Sequence, residues 1–440
     1  MGRLDSTDGT VQLEPNTSFA RSVMSGPPTD NAPRPRGRLF FFAPGPTNIP
    51  DRVLGAMHRP TIDFFDPAFL EVQKRAIEGL RRVLKTKQHV LFYAANGHGA
   101  WEAGLVNCFA PGETVLVLES GHFSGNWADM AGELGLNVEI LHADWRKGVD
   151  LPGLEARLRA DKAHAIKGIM VVHSETATGL AHPVGDIRKS INKAKHPALL
   201  LADTISSLAS FDFRMDEWGV DIVVGGSQKG LMMVTGLALT GISDKALARA
   251  KANTASRRSY WDWSAMMKTQ PQRVPGTTPV HLFYGLDESL KILDEEGLEN
   301  VFLRHRRLAD AVRAAISHWG GGVKNDLRIT AKGIEGKVKA IELLCADKSR
   351  AADSVSAILV PDGHDANTLR KHALERYNVA TGGGLGPLAG RVFRIGHLGD
   401  LNEPMLLGAL ATIEMALADT GIPHLSGGVD AAIRHLRAVA

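Results

Sequence analysis

Asp221-Ile-Val-Val-Gly-Gly-Ser-Gln-Lys-Gly230 is the stretch on which the reading of this chain turns. An apolar run ends in two glycines, a polar pair, a lysine and a third glycine. The run does not alternate, which is the pattern of a strand covered on both faces. A lysine directly after such a strand is awkward, because its ammonium is costly to bury unless paired, deprotonated or used covalently. The flanking glycines let another group approach the backbone closely. Lys229 is therefore either a solvated turn residue or a Schiff-base lysine holding an aldehyde cofactor. The rest of the chain decides.

Outward from this run, further short apolar stretches recur at His89–Tyr93, Thr114–Leu118, Val138–Leu141, Ile166–Val172, Ala198–Ala202 and Gly236–Thr240. Helical patterns lie between them, at Trp101–Cys108 and Trp127–Leu134. The alternation predicts an α/β domain with a mostly parallel sheet and helices on each side. Beyond about residue 285 the pattern changes. Leu286–His318 reads as helical, followed by strands at Ala340–Leu344, Ser354–Val360 and Arg391–Ile395 and helices at Asn367–Glu375 and Pro404–Ala418. That is a second, smaller α+β domain. Residues 1–37, rich in Ser, Thr, Pro, Gly and Arg, read as a flexible tail. The expected division is 38–299 as a large domain, entered by a rigid arm at Leu39–Pro50, and 300–440 as the small one.

At 440 residues the chain has length for two cores. A net charge of +3 is too small to point to nucleic acid or an anionic membrane. Two cysteines, Cys108 and Cys345, exclude a disulfide framework and suit a reducing compartment. No apolar run reaches membrane-spanning length and no signal core opens the chain. A cytoplasmic protein is expected. Among 17 histidines none shows paired metal-ligand spacing, so no metal site is expected.

In open α/β sheets ligands gather at the carboxyl ends of the strands. After the first strand come Asn96-Gly97-His98-Gly99, either an anion cradle at a helix start or a plain helix cap. After the second comes Phe123, a stacking plate for a planar ligand or a packing residue. After the fourth comes the hydroxyl-dense His173-Ser-Glu-Thr-Ala-Thr-Gly179, and the fifth ends in Asp203, a carboxylate that needs a partner at the tip of so apolar a run. A phosphorylated, planar, nitrogen-containing aldehyde would use cradle, plate, acid and amine together; pyridoxal phosphate fits. Arg394, on an otherwise apolar strand, is either a bidentate clamp for a substrate carboxylate or an interdomain salt-bridge residue.

These motifs resemble those of the class V, fold-type I pyridoxal-phosphate aminotransferases, in particular the alanine–glyoxylate and serine–glyoxylate aminotransferase family. The matching stretches, in family order, are Ala43-Pro-Gly-Pro-Thr-Asn48, Asn96-Gly-His98, His173–Gly179, Asp203-Thr-Ile-Ser-Ser207, Gly226–Gly230, and Gly383-Gly-Leu-Gly-Pro387 with Arg394-Ile-Gly. The resemblance implies that Lys229 carries the cofactor, Asp203 contacts the pyridine nitrogen, Phe123 stacks on the ring and Thr176 lies near its O3′. It implies a phosphate cradle of Asn96, Gly97, His98 and Gln228, completed by Thr277 from the partner of a homodimer. It further implies that Arg394 holds the substrate carboxylate with backbone near Gly45 behind it. The implied activity is amino transfer from a small amino acid such as serine or alanine to a small 2-oxo acid, glyoxylate or pyruvate, by a ping-pong route.

The chain departs from the family pattern in three places. Val274 stands where a tyrosine often precedes the Thr277 position by three residues, so one phosphate contact is expected to be missing. Asp63-Phe-Phe-Asp66 replaces the Asp-His-Arg-Ser to which serine–glyoxylate-like members tend, which bears on donor choice and keeps pyridoxamine or an aminophosphonate as alternative donors. Residues 325–341 form a longer connection than usual. A class V lyase or cysteine desulfurase would need a cysteine on the loop Thr381-Gly-Gly-Gly-Leu-Gly-Pro387, which has none. A nicotinamide-dependent dehydrogenase would need Gly-x-Gly-x-x-Gly, and Asn96-Gly-His-Gly lacks the third glycine in place.

Overall fold

The computed structural model describes residues 36–269 and 271–438. The tail expected over 1–37 lies outside them except for its last two residues. The central element is a seven-stranded sheet in the order His89–Ala94, Leu237–Ile242, Ile222–Gly226, Leu199–Asp203, Ile166–Val172, Thr114–Glu119, Asn137–His142. Only Leu237–Ile242 runs against its neighbours; the remaining pairs are parallel.

Successive residues of these strands enter opposite cores, as the two-residue period of a strand requires. Phe92, Leu118, Val171, Leu200 and Val223 pack on one side with the helices Pro67–Leu84, Val184–Lys193 and Val280–Glu296. Tyr93, Val117, Val172, Leu201 and Val224 pack on the other with Gly97–Cys108, His122–Glu133 and Asp244–Ala252. Both faces are covered, which is why the runs read as uninterrupted apolar sequence. Gly97–Cys108 opens at an Asn96 cap, whose side chain accepts the His98 N–H at 3.1 Å. The helix expected from Trp127 begins earlier, at His122, so Phe123 sits in its first turn and not on a free loop.

A five-stranded sheet builds the smaller unit, ordered Phe40–Phe42, Val379–Gly383, Val392–Gly396, Val355–Leu359, Glu342–Leu343. Its core joins Ile358, Phe393 and Ile395 to helices Leu298–Trp319, Ala366–Tyr377 and Glu403–Asp419. Phe40–Phe42, expected with the large domain, pairs in parallel with Val379–Thr381 and so belongs to this sheet's edge. From there the arm crosses to the large sheet, where Thr47 N donates to Gln228 O at 3.1 Å and Thr47 Oγ1 to Lys229 O at 2.9 Å. Residues 325–341 contain the hairpin Arg328–Thr330 and Gly333–Glu335, docked on the 144–146 loop through Trp145 N to Ile329 O at 2.8 Å and Arg146 Nη1 to Asn325 O at 2.6 Å. No described helix is long and apolar enough to cross a membrane.

Candidate active site

The carboxyl ends of the parallel strands surround a cavity of about 250 Å³. Lining it are Gly45 from the arm, Asn96, Gly97 and His98 at a helix start, Phe123, Thr176, Asp203, Gln228 and Lys229. The structure thus brings together nine residues that the strand-end reading and the family resemblance singled out.

Lys229 follows the Ile222–Gly226 strand in a turn and is buried. Its Nζ donates to Pro44 O, and no carboxylate among the described residues forms an ion pair with it. Burial pulls the ammonium down to about 7, the Arg394 charge adds to that, and Asp203 opposes it. The amine is therefore substantially unprotonated at neutral pH. Gly45 is fixed by the same contact: its φ is +121°, and a Cβ there would come within 2.3 Å of Lys229 Nζ.

Asp203 ends its strand paired with Val224, which places it beside the strand that runs into the lysine turn. Ile205 N donates to Oδ1 at 2.6 Å and Trp101 Nε1 to Oδ2 at 2.9 Å. Burial nevertheless pushes the carboxyl up to about 7, with the Glu175 charge adding to it. A buried carboxylate without a cationic hydrogen-bond partner is an acceptor awaiting one.

Arg394 lies on Val392–Gly396 of the smaller sheet and reaches across to the large one. Nε donates to Gly383 O at 2.7 Å and Nη1 to Thr176 O at 2.9 Å. It makes no interdomain salt bridge among the described residues. Burial brings its pKa down to about 10, with nearby Arg370 contributing, so it stays charged at neutral pH. Thr176 Oγ1 shares a hydrogen bond with Ser206 Oγ. Gln228 Oε1 is buried with no hydrogen-bond partner among the described residues.

Two residues at the site carried no assigned role in the sequence reading. Glu175 is fully buried and accepts N–H groups from Phe123 at 3.3 Å, Ser124 at 3.0 Å and Ala177 at 3.2 Å. It ties the helix start that carries Phe123 to the turn that carries Thr176. Its signal was an acid inside an otherwise hydroxyl-rich turn, and its partners are 51 and 52 residues away in sequence. Trp101 is the other, through its bond to Asp203.

The class-V aminotransferase family profile matches residues 39–325. The chain belongs to this family. It is 45% identical over 413 residues to the serine–glyoxylate aminotransferase of Methylorubrum extorquens, an alignment covering 92% of this chain and 98% of that protein. It is 44% identical over 400 residues to the L-aspartate–glyoxylate aminotransferase of Paracoccus denitrificans, covering 90% and 96%. The crystal structure of pyridoxamine–pyruvate aminotransferase from Mesorhizobium loti superposes with a TM-score of 0.82 at 25% identity, covering 93% of this chain and all of that one. The chain is thus an aminotransferase of fold type I. The family and fold imply dependence on pyridoxal phosphate and turnover of amino and 2-oxo acids.

The departures from the family pattern are now visible in space. Thr277 is exposed and is not among the residues lining the cavity. Val274 is buried in the large core. Asp63 and Asp66 are spent on local structure: Asp63 Oδ1 accepts Phe65 N at 2.9 Å, and Asp66 caps Pro67–Leu84 through Ala68 N at 2.8 Å. Phe65 is 61% exposed, with the Arg273 guanidinium 5.8 Å from its ring centre. Cys108 and Cys345 lie in cores, where burial pushes both thiols up, Cys345 to about 11. Neither lines the cavity.

Proposed function

We propose that this protein is a pyridoxal-phosphate-dependent aminotransferase that passes the amino group of a small amino acid to glyoxylate or pyruvate. Serine, alanine and aspartate are the donors we infer, the first and last from the relatives' activities. One observation carries the reading. A buried lysine and a buried aspartate at neighbouring strand ends, both held near neutrality, open on one cavity, and an arginine from the other sheet reaches its wall at Thr176.

The residues present fit the cofactor. Asn96, Gly97 and His98 offer the positive end of a twelve-residue helix to a phosphate, and Gln228 lines the cavity beside them. Asp203 offers a carboxylate lacking a cation, and Phe123 an aromatic face. When bound, pyridoxal phosphate supplies a carbonyl for the donor's amino group and a ring that accepts electrons from the Cα–H bond.

This chain's own residues then divide the work. Lys229 Nζ would hold the cofactor covalently, and as a free amine with its pKa near 7 it would take the proton from the donor's Cα. Asp203 would provide the negative charge that keeps a ring nitrogen protonated. Arg394 binds the α-carboxylate with the N–H groups not given to Gly383 and Thr176, while the Gly45 backbone closes the other side. Glu175 keeps Phe123 and Thr176 in register. Exposed Thr277 serves the phosphate of a partner subunit in a homodimer, as we read it, and the domains divide near residue 299, in the cytoplasm of the cell.

The test is a half-reaction screen. The protein loaded with pyridoxal phosphate is mixed with single amino acids and with pyridoxamine, and conversion to the pyridoxamine form is followed by absorbance. Conversion by serine, alanine or aspartate, lost in Lys229→Ala, is the expected result. Conversion by pyridoxamine alone would move the assignment to that donor, and undiminished conversion by Lys229→Ala would sink it.

A further inference from the structure

Trp101 lines the same cavity, beside Asp203. Its indole Nε1 donates to Asp203 Oδ2 at 2.9 Å while Ile205 N donates to Oδ1 at 2.6 Å. Each carboxylate oxygen thereby has a protein N–H, and both torsions of the aspartate side chain are fixed. Trp101 is fully buried, so its indole N–H is not shared with bulk water.

The position of Trp101 links two parts of the site. It stands three residues after His98 on Gly97–Cys108, and the rings of His98 and Trp101 are 4.4 Å apart. The element that turns its N-terminus to the cavity therefore also carries the donor to Asp203. On its far side Trp101 stacks on Trp127, with ring centres 5.6 Å apart and planes at 16°. The Trp127 Nε1 is itself buried without a partner among the described residues. The two indoles share one stack, and only Trp101 makes a hydrogen bond.

We propose that Trp101 is a positioning residue that locks the Asp203 carboxylate through its indole N–H and couples it to the anion-binding end of the same helix. This rests on the functional reading above, in which Asp203 faces the ring nitrogen of the cofactor. A hydrogen bond to a carboxylate favours its ionised form. Losing a bond of this charge-assisted kind corresponds to roughly 10- to 100-fold in an equilibrium that depends on it.

The experiment compares Trp101→Phe with Trp127→Phe in the full-length protein. Both substitutions shrink the same stack, and only the first removes the N–H from Asp203. Apoproteins are titrated with pyridoxal phosphate, the pH midpoint of the visible band is measured for each loaded protein, and apoprotein Tm reports packing. Trp101→Phe should bind pyridoxal phosphate about 10- to 100-fold more weakly, with a raised midpoint, because an uncharged ring leaves the lysine-linked nitrogen more basic. Trp127→Phe should stay within about threefold of wild type in affinity and keep its midpoint. Equal affinities and midpoints in the two variants would overturn the proposal and leave Trp101 a packing residue.

Should Trp101→Phe not fold, the bond is read in the unaltered apoprotein. One indole N–H resonance should move with pH in the wild type and stand still in Asp203→Asn. No such resonance would also overturn the proposal. Failure of the wild type to take up pyridoxal phosphate would overturn the functional reading, and the inference with it.

Discussion

Arg394→Lys isolates the carboxylate clamp with little damage to the fold. A guanidinium has five N–H groups, and this one gives Nε to Gly383 O at 2.7 Å and one Nη1 hydrogen to Thr176 O at 2.9 Å. Three N–H groups remain, two of them on Nη2, which has no partner among the described residues. They suffice for a bidentate grip on a carboxylate. Lysine keeps the charge but ends in a compact ammonium that supplies one such bond at best in this geometry. The loss is then one charge-assisted hydrogen bond, about 1.5–3 kcal/mol, or about one to two decades in kcat/KM. Arg394→Ala removes both bonds and should cost about two to four decades. The assay is the single-turnover half-reaction with serine against ethanolamine, which is serine without its carboxylate. Serine should lose the full factor in Arg394→Lys, and ethanolamine, already slow, should change less than about threefold if the charge alone matters to it. An equal loss for both amines would refute the clamp, because it would place the arginine's effect outside carboxylate binding.

Further consequences follow from the same geometry. Because burial lowers the Lys229 pKa to about 7, covalent capture of pyridoxal phosphate by the apoprotein should be fastest above pH 8 and fall to about a tenth of its plateau near pH 6. Stopped-flow absorbance checks this, and a rate still rising at pH 10 would mean an ordinary lysine. Gly45→Ala should cut turnover sharply and lower the Tm, since a Cβ would come within 2.3 Å of Lys229 Nζ at a backbone φ of +121°, a strain of about 1–2 kcal/mol before the clash. In a homodimer with shared sites, mixing Lys229→Ala with Thr277→Ala chains should restore more activity than either variant has alone; no recovery after chain exchange would argue that Thr277 serves no neighbour's site.

Much of this architecture was legible because the central strands are buried on both faces. Asp203 and Lys229 stood out as charges after apolar runs, and the ladder places Asp203 beside the strand that leads into Lys229, as expected. The N-terminal arm was harder. Its three-residue strand Phe40–Phe42 pairs with Val379–Thr381, and so short a segment has no period of its own to reveal which sheet it joins. The helix Pro67–Leu84 was open to reading, since Phe69, Val72, Ala76, Ile77, Leu80 and Val83 recur at helical spacing. Trp101 and Glu175 were not. Their meaning lies in partners 102 and 51 to 52 residues away, and a tryptophan in an apolar helix looks the same in sequence whether or not its N–H finds a carboxylate.

The central claim is that Lys229 carries the cofactor, and the most direct measurement is chemical. Protein loaded with pyridoxal phosphate is reduced with borohydride, digested and mapped by mass spectrometry. The pyridoxyl-phosphate increment should fall on the peptide containing Ser227-Gln-Lys229 and vanish in Lys229→Ala. An increment on another lysine, or none with the wild type, would contradict the account.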